Sequence, residues 1–253
     1  MIRAVIFDVG GTLHTSRVSK AMQQDFSSQV IKTLASAGIV LDVPPEEFYG
    51  PLYERAEEYK AWSEKTRREL PGVQVWKEYF LRPYEPDEIK LAKVSEELSY
   101  LYDSCRVELT PRPYMKETLK QLRDEGLAVG IISNILSLTF VPKILATYSI
   151  DGMMSCVVTS SETGIRKPDA SIFRIAEEKL GMKPQELAYV GDTISRDVMG
   201  TKNAGWRLMI QIENPSVTFR DREVINKGYE PDYLISSLKE IPDIIYKENK
   251  AQA

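Results

Sequence analysis

The chain has 253 residues, 43% of them apolar and 28% charged, and its net charge is -4. This length allows one large domain or two modest ones, and the apolar content suffices for a full core. The negative charge argues against nucleic-acid binding, and no apolar run approaches the roughly 18 residues of a membrane span. The N-terminal apolar run is too short for a signal peptide, and two cysteines form no disulfide framework, so a cytoplasmic protein without membrane or nucleic-acid partners is expected.

The first predicted element is a short buried strand over residues 2–7, which ends at the glycine-rich segment from Asp8 to Thr12. Apolar residues at steps of four and three from Met22 onward then predict a helix that ends at Gly38. Helical patterns continue to Asp103 and are interrupted by prolines. The sequence therefore predicts an all-helical block over residues 15–108.

After Pro113 the pattern changes to alternating strands and helices. The predicted strands cover residues 127–132, 154–159, 187–190, 207–212 and 232–235. Such alternation predicts a parallel sheet with helices on both faces. We therefore predict an α/β fold, a doubly wound Rossmann-like parallel sheet with an inserted all-helical domain. The core domain would comprise residues 1–14 and 109–253, and the helical domain residues 15–108.

Polar side chains follow the predicted strands at the points where the strands end. Asp8 follows the first strand, Ser133 and Asn134 follow the second, and Asp192 follows a later one, while Lys167 lies in a loop before a proline. Ligands of open parallel sheets bind outside the carboxyl ends of the strands. These side chains are therefore expected to converge on one site.

The residue types at this edge suit phosphoryl chemistry. An exposed carboxylate at a tight turn, such as Asp8, can act as a nucleophile. Asp8 and Asp192 would repel each other unless a hard cation such as Mg²⁺ lay between them. Ser133 and Lys167 could hold an anionic group, and Asp197 could bind the metal or orient a water molecule on it.

Each of these residues also has a purely structural interpretation. Asp8 and Asp192 could be helix N-caps, Ser133 a turn residue, and Lys167 a solvated loop lysine. Their joint position at strand ends favours the functional interpretation. His14 is the only histidine, and we expect it in a loop rather than in catalysis.

At this point the sequence resembles the haloacid dehalogenase superfamily of phosphatases and related hydrolases. The signatures appear in order as D-V-G-G-T-L, I-I-S-N, R-K-P-D and G-D-T-I-S-R-D, over residues 1 to about 212. The helical block lies where family members carry a helical cap. The resemblance implies an aspartyl nucleophile at Asp8, a phosphate-loop residue at Thr12, and phosphate binding by Ser133, Asn134 and Lys167.

The resemblance also implies a Mg²⁺ site and exposes one departure from the family. The metal would be held by Asp8, Asp192 and the carbonyl of Gly10, with Asp197 beside them. Phosphatases of this family usually carry a second Asp where this chain has Gly10, and such a general acid–base is worth about 10²–10⁴-fold in rate. A phosphonate or C–halogen hydrolase, or a phosphate-binding protein of low turnover, is therefore an alternative.

Residues of the helical block could complete the site or select the substrate. A phosphonate hydrolase would need a Schiff-base lysine, and a phosphatase could take its acid from this block. The lysines available are Lys32, Lys60 and Lys65, the acids are Glu54, Glu57, Glu58 and Glu64, and the candidate substrate-selecting residues are Tyr53, Tyr59, Trp62, Arg67 and Arg68. The sequence thus predicts a Mg²⁺-dependent phosphoric monoester hydrolase acting on a small molecule, with substrate and oligomeric state left open.

Overall fold

The computed structural model describes residues 1–222, 224 and 227–251. A parallel sheet of six strands lies at its centre, in the order β5-β4-β1-β6-β7-β8. The strands are β1 (Ala4–Phe7), β2 (His14–Arg17), β3 (Glu108–Pro111), β4 (Ala128–Ser133), β5 (Cys156–Thr159), β6 (Leu187–Gly191), β7 (Leu208–Ile212) and β8 (Tyr233–Ile235).

Helices precede and follow the strands. They are α1 (Lys20–Ser36), α2 (Pro45–Thr66), α3 (Gly72–Val75), α4 (Glu88–Ala92), α5 (Ser95–Ser104), α6 (Met115–Asp124), α7 (Phe140–Thr147), α8 (Ser160–Thr163), α9 (Ala170–Leu180), α10 (Met199–Ala204) and α11 (Ile241–Lys250). π-helical turns span Trp76–Phe80 and Ile194–Val198, and a 3₁₀ segment spans Pro215–Asp221.

The sheet has helices packed on both faces. Along β1, Val5 and Phe7 point into an apolar cluster with residues of α6, α7 and α11. Ala4 and Ile6 point to the opposite face, into a second cluster with residues of α9 and α10. This alternation is the period of two expected of a strand that is buried on both sides. The predicted doubly wound α/β fold is confirmed.

The helices α1 to α5 build a third apolar cluster around Trp76, which a single core side chain, Leu136, joins. Their starts follow local signals: the Ser19 hydroxyl accepts a hydrogen bond from the N–H of Met22 at the start of α1, and α2 begins at Pro45. The antiparallel pair β2 and β3 connects this helical block to the core, and the sequence did not indicate these two strands. The division into two domains at 15–108 stays a prediction.

Two further elements differ from the sequence-based prediction. The helix expected over residues 87–103 is split near Val94 into α4 and α5. Helix α11 was not predicted, although Ile241, Ile244 and Ile245 recur at helical spacing and are buried against the core. Within the described part of the chain, no helix combines the length and apolar character needed to cross a membrane.

Candidate active site

The predicted site residues meet at the carboxyl edge of the sheet, beside β1. Strands β4 and β5 extend the sheet on one side of β1, and β6, β7 and β8 extend it on the other. The strand order therefore reverses at β1, and such a reversal is where open parallel sheets form a crevice. A cavity of about 420 Å³ lies between this edge and the helical block. Its lining includes Asp8, Gly10, Ser133, Asn134, Lys167 and Asp192.

Lys167 is the electrostatic centre of the site. Its ammonium lies 2.9 Å from Oδ1 of Asp8 and 2.6 Å from Oδ1 of Asp197, and it donates to the Tyr189 hydroxyl at 2.8 Å. An ammonium has three N–H donors, so these partners satisfy all of them. Lys167 is only 3% exposed, which excludes the alternative that it is a solvated loop residue. The pKa of Lys167 is raised, since Asp197 and Asp8 outweigh the cost of burial.

Asp197 is linked by hydrogen bonds to the residues around Lys167. Its Oδ2 accepts hydrogen bonds from the N–H and the hydroxyl of Thr193 at 3.0 and 2.7 Å, and from the N–H of Asp192 at 3.2 Å. Burial alone would raise the pKa of Asp197, but Lys167 and these hydrogen bonds lower it. Asp197 is therefore a charged carboxylate that holds both Lys167 and the loop after β6.

The pKa values of Asp8 and Asp192 are shifted in the opposite direction, upward. Burial raises the pKa of Asp8, Lys167 counteracts this, and the Asp197 charge adds to the rise. Burial and the charges of Asp197 and Asp8 raise the pKa of Asp192 to about 7. One carboxylate oxygen each of Asp8, Asp192 and Asp197 lie within 4.8 Å of one another. Oxygen-rich, negatively charged groups at this spacing fit a hard divalent cation, which would stabilise their ionised forms.

The glycine-rich loop after β1 is shaped by close backbone approach. At Gly11, where φ is +85°, a Cβ would lie 1.9 Å from Oδ2 of Asp192, so a side chain there would displace this carboxylate. At Gly10, by contrast, a Cβ would meet no atom within 4 Å, and φ is not positive. The space beside Asp8 where the family carries a second Asp is therefore open.

Asn134 lines the cavity, whereas Thr12 lies behind it. Thr12 is fully buried in the loop, and its hydroxyl has no hydrogen-bond partner among the described residues. The Asn134 side chain accepts from the N–H of Lys167 at 2.8 Å and donates to its carbonyl at 3.0 Å. These two bonds fix the main chain that carries the Lys167 ammonium. The Asn134 amide thus supports the loop that carries Lys167.

The helical block is fastened to the core on both sides of the cavity. On one side, the buried Glu69 carboxylate pairs with Arg166 and accepts hydrogen bonds from Tyr59 and, at 2.6 Å, from Ser160. On the other, the loop after β4 donates to α5: the N–H groups of residues 136 and 137 bond to Asp103 at 3.1 and 2.7 Å. Arg166 directly precedes Lys167, and residues 136 and 137 follow Ser133 and Asn134, so both contacts lie beside segments that line the site.

Only part of the predicted cap set lines the cavity. Tyr53, Tyr59 and Lys60 do so, and Lys60 is paired with Glu57 at 2.8 Å. The remaining candidates are absent from the lining: Lys32, Lys65, Glu54, Glu57, Glu58, Glu64, Trp62, Arg67 and Arg68. The expectation that one of those glutamates could supply an acid therefore lacks structural support, because the acids of this block at the cavity are Glu69 and Asp103.

Several residues at the site were missed from sequence. Asn214 donates to Oδ2 of Asp192 at 2.7 Å, and its position just after β7 could have identified it by the strand-end rule. Tyr189 is a polar residue inside a buried strand, a signal that was available. Asp103, a cavity-lining acid of the helical block, was also missed, and burial raises its pKa to about 7. His14, expected in a loop, is instead a buried first residue of β2 that lines the cavity, where burial lowers its pKa to about 4.

Comparisons with known proteins identify the family of the chain. The family model of the haloacid dehalogenase-like hydrolases matches residues 2–205. The chain is 30% identical over 245 residues to a glyceraldehyde 3-phosphate phosphatase of Methanopyrus kandleri, covering 97% of each chain. A second enzyme of that name, from Methanocaldococcus jannaschii, is 27% identical over 246 residues, again covering 97% of each chain.

A solved structure shows the same fold. The 2-haloacid dehalogenase of Pseudomonas syringae superposes with a TM-score of 0.64 at 20% sequence identity, covering 98% of this chain and 99% of its own. The relatives confirm the predicted class of enzyme, a phosphatase-type hydrolase. The chain belongs to the haloacid dehalogenase-like hydrolase family.

Proposed function

We propose that this protein hydrolyses a small phosphorylated molecule in a Mg²⁺-dependent reaction, through an aspartyl-phosphate formed on Asp8. The observation that carries the proposal is the Lys167 ammonium, which pairs with Asp8 at the carboxyl edge of the sheet. Carboxylate oxygens of Asp8 and Asp192 lie close enough together to share one metal ion. A nucleophile, a fixed positive charge and a cation site are the parts that phosphoryl transfer requires.

In this proposal Asp8 attacks phosphorus and the leaving group departs with the substrate's alcohol oxygen. Lys167 fixes the Asp8 carboxylate, and with Ser133 it stabilises the phosphoryl oxygens as their charge develops. Ser133 is the last residue of β4 and faces the same cavity. Water then hydrolyses the aspartyl-phosphate, which releases inorganic phosphate and regenerates Asp8.

Asp8, Asp192 and the carbonyl of Gly10 would hold the Mg²⁺ ion. When bound, Mg²⁺ would neutralise the neighbouring carboxylates and the phosphoryl oxygens. We assign Asp197 a positioning role instead, because both of its oxygens already accept hydrogen bonds from Lys167 and Thr193. Asn134 likewise positions the loop that carries Lys167. The helical block over residues 15–108 acts as the cap that excludes water from the cavity.

The substrate is a small metabolite by the size of the cavity. A volume of about 420 Å³ is at the lower end of small-molecule sites. The relatives from Methanopyrus kandleri and Methanocaldococcus jannaschii carry the name glyceraldehyde 3-phosphate phosphatase, which makes three-carbon phosphates the first compounds to test.

Phosphate release from a panel of small phosphate esters, with Mg²⁺ and with a chelator, tests this function. Mg²⁺-dependent release is expected. Chloride release from haloacids, or turnover only of phosphonates, would instead favour the other enzyme classes of the superfamily. A single turnover in isotopically labelled water adds a second distinction: label enters phosphate in the proposed reaction, whereas it enters Asp8 when an alkyl ester of Asp8 is hydrolysed.

A further inference from the structure

The cavity contains more positive charge than the phosphoryl site uses. Besides Lys167, its lining includes basic side chains from both the core and the helical block, namely Lys60, Arg106, Arg166, Arg196 and Arg220. Three of these are paired with carboxylates of the helical block. The pairs are Lys60 with Glu57, Arg166 with Glu69, and Arg196 with Glu64.

Arg106 and Arg220 have no such partner. Arg106 follows α5; its Nε donates to the carbonyl of Tyr102 at 2.7 Å, and its guanidinium lies 4.3 Å from the centre of the Tyr102 ring. Arg220 lies in the segment after β7, and its buried Nε has no hydrogen-bond partner. Neither arginine forms an ion pair with any residue that the structure describes.

The surroundings of Arg220 are electrostatically unfavourable without a further anion. Burial lowers its pKa, and the charge of Arg196 lowers it further. The carboxylates that counteract this, Asp192 and Glu64, already have partners of their own in Asn214 and Arg196. A partly buried cation beside another cation costs free energy unless a counter-ion reaches it.

We propose that Arg220, from the core, and Arg106, from the helical block, form a subsite for a second anionic group on the substrate. The substrate class is then a small phosphate ester that carries a carboxylate or a second phosphate at its other end. Guanidinium groups suit both anions because their N–H donors match paired oxygens. Such a substrate would bridge the core and the helical block across the cavity. This inference rests on the proposed function and names its substrate class.

The test uses two esters that differ at one carbon. Glycerol 3-phosphate and 3-phosphoglycerate share the skeleton and the phosphate position, but only the second has a carboxylate. We expect wild-type kcat/KM to be higher for 3-phosphoglycerate, and the ratio of the two values to fall by roughly tenfold to a hundredfold in Arg220→Gln and in Arg106→Gln, as for loss of a hydrogen bond to a charged group. Arg220→Lys should retain part of the ratio.

Arg174→Gln is the matched control, because Arg174 is exposed on α9 and outside the cavity. Propane-1,3-diol bisphosphate distinguishes a second phosphate from a carboxylate as the bound group. An unchanged ratio in both glutamine variants overturns the subsite. If the ratio is unchanged because kcat/KM falls equally on both esters, the arginines belong to the site of the transferred phosphoryl group.

A failure of the proposed function is recognisable separately. If the wild type releases phosphate from none of these esters, the phosphatase assignment fails, and the subsite is tested by calorimetric binding of 3-phosphoglycerate and glycerol 3-phosphate. Stronger binding of 3-phosphoglycerate that Arg220→Gln removes would support the subsite. Equal affinity for the two esters would overturn it.

Discussion

Replacing Gly10 by Asp should convert this site into a better general acid catalyst. The substitution restores the carboxyl group that phosphatases of the family usually carry two residues after the nucleophile. The structure permits it, because a Cβ at Gly10 meets no atom within 4 Å and φ is not positive, so neither a clash nor backbone strain is expected. Gly11 offers no such freedom, since its Cβ would lie 1.9 Å from Asp192.

The expected gain depends on the leaving group. General acid catalysis contributes about 10²–10⁴-fold, or about 3–5 kcal/mol of barrier, where the departing oxygen needs a proton. An alkyl alkoxide needs it, whereas an aryl oxide leaves with little help. Gly10 is exposed and a Cβ there would meet no atom within 4 Å, so a carboxyl at position 10 has room to reach the departing oxygen.

The assay is kcat/KM for an alkyl and an aryl phosphate in the wild type, Gly10→Asp and Gly10→Asn. Asn has the same shape but cannot donate a carboxylic proton, so it controls for volume. Gly10→Asp should raise the alkyl phosphate rate by about a hundredfold or more and change the aryl phosphate rate little. Equal changes on both substrates, or equal effects of Asp and Asn in folded variants, would refute the reasoning.

Three further outcomes follow from the buried contacts. Glu69→Gln leaves Arg166 without its buried partner and should lower the free energy of unfolding by about 3 kcal/mol in urea titrations; a loss below that of an exposed glutamate would contradict this. Tyr189→Phe removes one of the three acceptors of Lys167 and should reduce kcat by roughly tenfold, whereas an unchanged kcat would show that the hydroxyl is dispensable. Burial raises the pKa of Asp103 to about 7, so at intermediate pH the folded state holds a proton on Asp103 that the unfolded state has lost. The free energy of unfolding should therefore fall as pH rises from about 4 to 7. Asp103→Asn should flatten this part of the pH profile, and an unchanged slope would contradict the role of Asp103.

The fold and the position of the site were predictable because their signals are local. The strand from Ala4 to Phe7 is continuously apolar, and the residue directly after it must emerge at the carboxyl edge of the sheet. The same rule placed Ser133 and Asp192 there. The carboxyl ends of parallel strands lie at the same edge of a sheet, so the convergence could be expected from the parallel sheet without any knowledge of side-chain contacts.

The contacts across the cavity were not predictable from the sequence. Glu69 and Arg166 are 97 residues apart, and their pairing arises only when the helical block packs over the sheet. Taken alone, each is a charged residue of a type that is usually exposed to solvent. Arg220 gave no signal at all, because its burial depends on how the segment after β7 folds back to the cavity. Sequence patterns report the faces of helices and strands, but not which distant side chains meet.

The most direct test of the account is the comparison of Asp8→Asn with the wild type in Mg²⁺-dependent phosphate release. Asparagine is nearly isosteric with aspartate but is a poor nucleophile, so the fold should be retained while turnover is lost. Asp124→Asn is the matched control, since Asp124 is exposed and pairs with the exposed Lys120 on α6. Loss of phosphate release in an Asp8→Asn protein that still unfolds in a cooperative thermal transition is the expected result. Phosphate release near the wild-type rate in a folded Asp8→Asn protein would contradict the nucleophile assignment.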